Sequence, residues 1–189
     1  MSAIDAAVIG CSAGGLQALH RVLRPLPADL GIAIVIVSHT PPDGAFLLPH
    51  LLERDCRLPV REAEERQPIR QRHVYVAPPN YHLLVEPDLT FALSVDPRVC
   101  NVRPAVDVLF VSAAEAYRHR VAGIVLTGAN ADGADGLKAI ADTGGVCIVQ
   151  DPDTAAATAM PRAALAASGR AEILSLDAIP ARLIELAAP

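Results

Sequence analysis

The 189-residue chain contains no tryptophan, and aromatic residues make up only 3% of it. With so few rings for bases to stack on, a single-strand nucleic-acid platform is not expected. Excess basic charge is also missing: the formal net charge is −5, without the positive footprint of a nucleic-acid surface. No apolar run reaches membrane-spanning length, and the longest, residues 32–37, falls far short of it. Cys11, Cys56, Cys100 and Cys147 are widely spaced, with no C-x-x-C pair and no Cys/His cluster at zinc spacing. They read as small buried hydrophobes, and no metal or cofactor is expected. The first ten residues include Asp5 and no basic segment, so no signal peptide is read and a cytoplasmic location is expected.

What is present is a core-forming composition. Hydrophobic residues account for 52% and charged residues for 20%, which excludes an intrinsically disordered chain. At 19.8 kDa the expectation is one domain over residues 1–189, burying about 70% of its unfolded surface. Short β-branched runs, turns and helical stretches alternate along the chain. Residues 6–9 read as a strand, followed by a glycine-rich turn and a helix with Leu16, Leu19, His20 and Leu23 on one side. Residues 32–37 are the next strand, 38–44 a loop and 45–54 a helix. The scheme returns with strand 123–126, loop 128–136, helix 137–142 and strand 146–149. Such alternation predicts an α/β fold of three layers, a doubly wound, mostly parallel sheet with helices on both faces. Between these parts, residues 73–77, 83–86 and 90–93 are separated by Pro-Pro-Asn and Pro-Asp turns, which predicts a short antiparallel meander at one edge. Helices are read at 105–118, 155–167 and 180–187.

Three places carry residues suited to chemistry. Gly10-Cys11-Ser12-Ala13-Gly14 fits G-x-S-x-G between a strand and a helix. A tight turn there lifts the Ser12 hydroxyl out of the sheet edge, with backbone N–H groups facing any oxyanion formed at its target. The same turn is also close to a dinucleotide fingerprint, or is simply a phosphate-binding turn. Ser12 stands where the second glycine should be, however, and strand two ends in Ser38-His39 instead of an acidic ribose ligand. His39, at the end of the neighbouring strand, lies within reach of Ser12. Asp132, in the loop after strand 123–126, is placed to orient His39, or alternatively to cap the next helix. Asp135 is the alternative acid, already within that helix's first turn. No role is read for His50, His73, His82 or His119, and His20 is placed on a helix face.

Six blocks in one order carry a resemblance: Ser12-Ala13-Gly14-Gly15, Ser38-His39-Thr40-Pro41-Pro42, Val74-Tyr75-Val76-Ala77-Pro78-Pro79, Arg103-Pro104-Ala105-Val106-Asp107-Val108-Leu109-Phe110, Leu126-Thr127-Gly128 with Asp132-Gly133, and Met160-Pro161-Arg162. Together they resemble the catalytic domain of the chemotaxis protein-glutamate methylesterase (CheB) family. The resemblance implies a serine hydrolase whose triad falls on Ser12, His39 and Asp132, with the backbone N–H groups of Ala13, Gly14 and Ala129 as oxyanion candidates. It further implies glutamate methyl esters on the cytoplasmic helices of methyl-accepting chemoreceptors as substrate, glutamine deamidation as a related activity, and no cofactor. Ala13 stands where members often carry threonine, and Ala129 where they carry methionine. The chain starts almost directly on strand one, with no phosphorylatable receiver domain before it. The expectation is therefore constitutive activity or control by a separate receiver protein. A non-catalytic chemosensory binding module and a Rossmann-type nucleotide binder are the alternative readings.

Overall fold

The computed structural model describes residues 3–39 and 47–188. Seven strands form one sheet: β1 (Ala6–Cys11), β2 (Ala33–Ser38), β3 (Val60–Glu62), β4 (Val74–Val76), β7 (Val121–Val125), β8 (Val146–Gln150) and β9 (Glu172–Leu174). Their order across the sheet is β3-β4-β2-β1-β7-β8-β9, and every neighbouring pair is parallel. The remaining two strands, β5 (His82–Val85) and β6 (Phe91–Ser94), pair antiparallel in a sheet of their own.

Alternation along β1 divides the core. Ala7, Ile9 and Cys11 face one helix layer, α1 (Gly15–Leu23), α2 (Leu48–Glu53) and α6 (Ile179–Ala187), through Leu19, Val22, Leu52 and Leu183. Ala6 and Val8 face the opposite layer, α3 (Val106–Tyr117), α4 (Ala134–Asp142) and α5 (Ala159–Ser168), through Leu109, Phe110, Ile140 and Ala164. The β5–β6 pair contributes Leu83, Val85 and Phe91 to that second layer. Because both faces of the central strands are covered, they read as continuous apolar runs, as a parallel sheet requires. Each fully buried Ile, Leu or Val contributes roughly 1.5–3 kcal/mol of hydrophobic stabilisation, so the strand ends that bear the site rest on a rigid support.

Several details depart from the sequence-based expectations. Residues 74–76 belong to the main parallel sheet between β2 and β3, so only β5 and β6 are antiparallel. The Pro78-Pro79-Asn80 stretch ends β4 and does not turn it back. Edge strands β3 and β9 are three residues long and partly exposed, too short for a periodic signal. The stretch 155–158 is loop, and its helix begins at Ala159 with Pro161 in the first turn, where its missing N–H costs little. In α1 the buried side is Ala18, Leu19, Val22 and Leu23, whereas Leu16 is exposed. Of the 45–54 helix, Leu48–Glu53 is helical and residues 45–46 lie outside the described residues. Cys11 and Cys147 are buried as expected, but Cys56 is half-buried and Cys100 is exposed. Among the described residues no helix is long and apolar enough to cross a membrane.

Candidate active site

Ser12 follows the last residue of β1. Its N–H donates to the Thr127 carbonyl at 2.9 Å, and its carbonyl accepts from Gly15 N–H at 2.7 Å, closing the turn into α1. Gly14 makes the turn at φ 78°. A Cβ there would lie 2.7 Å from the Ala156 Cβ, so both backbone sign and space demand glycine. Pairing of Cys11 with Ser38 puts Ser12 and His39 one residue beyond the same register position on adjacent strands. His39 N–H extends the ladder to the Cys11 carbonyl at 3.0 Å. Ser12, Ala13, Gly14, Leu16, Gln17 and His39 line one open cleft of about 500 Å³.

Asp132 arrives from the other side of β1, on the loop between β7 and α4. Its Oδ2 lies 2.7 Å from His39 Nε2, and the two side chains are 0% and 7% exposed respectively. The same carboxylate accepts from Val106 N–H at 2.6 Å and Asp107 N–H at 2.9 Å. It therefore does cap a helix, but α3 and not the helix that follows it in sequence; α3 has no side-chain cap of its own. Burial by itself would raise the Asp132 carboxyl, yet the His39 bond and the two backbone donors outweigh burial and hold it below the ordinary carboxylate range. With Asp132 ionised, His39 Nε2 carries the proton and donates it, which leaves Nδ1 as the ring's lone pair. Nδ1 is buried and has no hydrogen-bond partner among the described residues. Asp135, the alternative acid, is exposed in the first turn of α4, and His39 pairs with Asp132 instead.

Asp107 returns the favour to α4. Its Oδ1 accepts from Gly136 N–H at 2.7 Å, so each of the two helices has its N-terminus satisfied by a carboxylate from the other's sequence segment. Asp107 is buried, and burial together with the nearby Asp132 carboxylate pushes its own carboxyl up to about 6, against the Gly136 hydrogen bond. Cys100, Asp107 and Asp132 offer ligand atoms within 4.8 Å of one another. Asp132, however, has both oxygens occupied by N–H donors, which satisfies its charge without a cation. Partial burial, then the carboxylates of Asp132, Asp107 and Asp135, raise the Cys100 thiol.

Of the oxyanion candidates, Ala13 and Gly14 line the cleft. Gly128 N–H is spent on the Ala157 carbonyl at 3.0 Å, so in that turn Ala129 is the donor left to consider. Sequence reading missed two contributors. Asp107 is a charged residue inside an apolar helical run, a signal that was there to read. His82, given no role, is buried: it accepts from Ala105 N–H at 3.2 Å and reaches the Pro97 carbonyl at 3.1 Å, tethering the entry to α3.

Three comparisons bear on this geometry. The family model described as CheB methylesterase matches residues 7–183. A homologue of protein-glutamate methylesterase/protein-glutamine glutaminase in Leptospira interrogans is 48% identical over 184 residues, covering 96% of this chain and 94% of that protein. The protein-glutamate methylesterase/protein-glutamine glutaminase of Symbiobacterium thermophilum is 39% identical over 172 residues, 91% of this chain but 48% of that protein. Among solved structures, the Thermotoga maritima CheB methylesterase catalytic domain superposes with a TM-score of 0.92 at 34% identity, covering 97% of this chain and 98% of that one.

Proposed function

The chain belongs to the CheB methylesterase family, and on that premise we propose that Ser12, His39 and Asp132 act as the catalytic triad of a protein-glutamate methylesterase. In this reading residues 1–189 form one catalytic domain working in the cytoplasm. Its substrates are glutamate methyl esters, and glutamines, on the cytoplasmic helical region of methyl-accepting chemoreceptors. The observation that carries the reading is the His39 ring, tied through Nε2 to Asp132 at 2.7 Å, with its buried Nδ1 unspent beside the cleft that Ser12 lines.

The Ser12 hydroxyl attacks the ester carbonyl and gives its proton to His39 Nδ1. The imidazolium that forms is held by the Asp132 carboxylate across the opposite ring nitrogen. Charge builds on the former carbonyl oxygen, for which the N–H groups of Ala13, Gly14 and Ala129 are the donors. Collapse of the tetrahedral intermediate breaks the bond to the methoxy oxygen, and Nδ1–H protonates departing methanol. Water then attacks the glutamyl-Ser12 ester, giving up a proton to Nδ1, and free glutamate and the Ser12 hydroxyl are regenerated. With a glutamine substrate the leaving group is ammonia and the steps are otherwise the same.

Methanol release from a methylated receptor cytoplasmic fragment tests the assignment. Ser12→Ala should lower the rate at least about a thousandfold, with the circular-dichroism melt unchanged. A folded Ser12→Ala protein that releases methanol at the wild-type rate removes Ser12 from the chemistry.

A further inference from the structure

Thr127 stands two residues past the end of β7 and is only 2% exposed. Its carbonyl accepts Ser12 N–H at 2.9 Å, and its hydroxyl lies 2.7 Å from the Ala13 carbonyl. The hydroxyl also accepts from Ala157 N–H at 2.9 Å, while the Ala157 carbonyl is further off at 3.3 Å, so the single hydroxyl proton goes to Ala13. Thr127 N–H donates to Gln150 Oε1 at 2.9 Å, and Gln150 is itself buried and bonded through Nε2 to the Thr154 carbonyl at 3.2 Å. One residue thus grips the Ser12 turn on both sides and is anchored behind.

We propose that Thr127 is a positioning residue whose hydroxyl aims the Gly14 N–H, one of the oxyanion-binding donors after Ser12. This rests on the hydrolase reading of the same site. In a planar trans peptide the C=O and the following N–H point in opposite directions. Holding the Ala13 carbonyl toward Thr127 therefore turns Gly14 N–H away from Thr127. Likewise, the Ser12 carbonyl held by Gly15 N–H turns Ala13 N–H the other way. Both residues line the cleft, and among the described residues no backbone carbonyl accepts from either N–H. Gly14 at φ 78° adds little intrinsic preference of its own that would hold the Ala13–Gly14 peptide plane in place. Oxyanion donors work only when aimed beforehand at the position the charge will occupy, and a tilt of one peptide plane forfeits that.

The test is steady-state methanol release by wild type, Thr127→Val, Thr127→Ser and Thr127→Cys, each checked for folding by its melt. Valine keeps the shape and loses the hydroxyl, serine keeps the hydroxyl, and cysteine keeps only a weak donor. Thr127→Val should lose about ten- to a hundredfold in kcat with KM within about twofold, the signature of an interaction made in the transition state. Thr127→Ser should recover to within about threefold of wild type, and the midpoints of the pH–rate profile should stay put because His39 and Asp132 are untouched. The proposal is overturned if Thr127→Val keeps its kcat, if the loss lies wholly in KM, or if Thr127→Ser is as slow as Thr127→Val. Should Thr127→Val fail to fold, Thr127→Cys decides: equality with Thr127→Ser overturns the role, and a rate well below it supports the role. Wild-type turnover no faster than Ser12→Ala would instead overturn the hydrolase reading and this inference together.

Discussion

The His39 ring presents Nε2 to its carboxylate and leaves a buried Nδ1 without a partner among the described residues, the reverse of the assignment in chymotrypsin-type triads, where Nδ1 meets the aspartate. The chemistry is indifferent to which nitrogen is which, provided the carboxylate fixes the tautomer, and a doubly capping Asp132 does so firmly. Asp107 supplies the pH prediction at this scale. Burial and then Asp132 raise its carboxyl to about 6 from an unfolded value of 3.8. Between those values the folded protein keeps a proton that the unfolded chain has released, so stability falls as pH rises through about 6. Asp132 has the opposite sign: its lowered carboxyl adds stability above the unfolded value that is lost only as pH falls further. Asp107→Asn keeps an oxygen for Gly136 N–H and removes the titration. Melting temperatures between about pH 4 and pH 7 should therefore slope less in Asp107→Asn than in wild type, and parallel curves would refute the assignment. The proposed triad can be read from the sequence because Ser12 and His39 directly follow strand ends and Asp132 lies in the loop after a third strand. The charge of Asp107 within an apolar helical run is visible there too, but its partner 29 residues away, like the Thr127 partner 114 residues away, emerges only on folding.

Secondary-structure elements meet at this site with unusually little clearance. Helices α3 and α4 approach closely enough that a Cβ on Gly136 would fall 2.5 Å from Phe110 Cβ, and their N-termini exchange carboxylate caps worth about 1 kcal/mol each. Gly128 is the tightest point beside Ser12: a Cβ there would lie 1.9 Å from Met160 Sδ, 2.7 Å from Met160 Cγ and 3.0 Å from Ser12 Cβ. Met160, in the first turn of α5, is buried and has no solvent to swing into. Gly128→Ala should therefore cost about 1–3 kcal/mol, seen as a lower urea midpoint at unchanged slope. An unchanged midpoint would mean that Met160 yields freely. Among the elements, the short apolar runs 6–9 and 32–37 mark strands that the structure places at Ala6–Cys11 and Ala33–Ser38. The pairing of β4 is not readable from the sequence because Val74-Tyr75-Val76 is followed by Pro78-Pro79, and prolines look the same whether a strand turns back or simply ends.

Across the whole molecule, strand order does what no single motif could. β1 lies between β2 and β7, so the segments bearing His39 and Asp132 leave the sheet on either side of β1 and their side chains meet at 2.7 Å although they are 93 residues apart. Connections leave β1 toward β2 on one side and return through β7 on the other, and open α/β sheets place their sites at such a switch point, outside the carboxyl ends of the strands. Alternation of strands and helices made the layered fold legible, while the order of strands in the sheet is set by long-range packing that local pattern does not encode. The scarcity of aromatic residues fits a site assembled from turns and strand ends, with peptide groups supplying much of the polarity. Labelling with a fluorophosphonate followed by peptide mass mapping asks whether Ser12 is, as proposed, a nucleophile activated by His39 and Asp132. The expected result is one adduct per chain, on Ser12, absent in Ser12→Ala and slowed at least about tenfold in His39→Ala. Folded wild-type protein that takes up no label, or takes it up at another residue, would contradict the account.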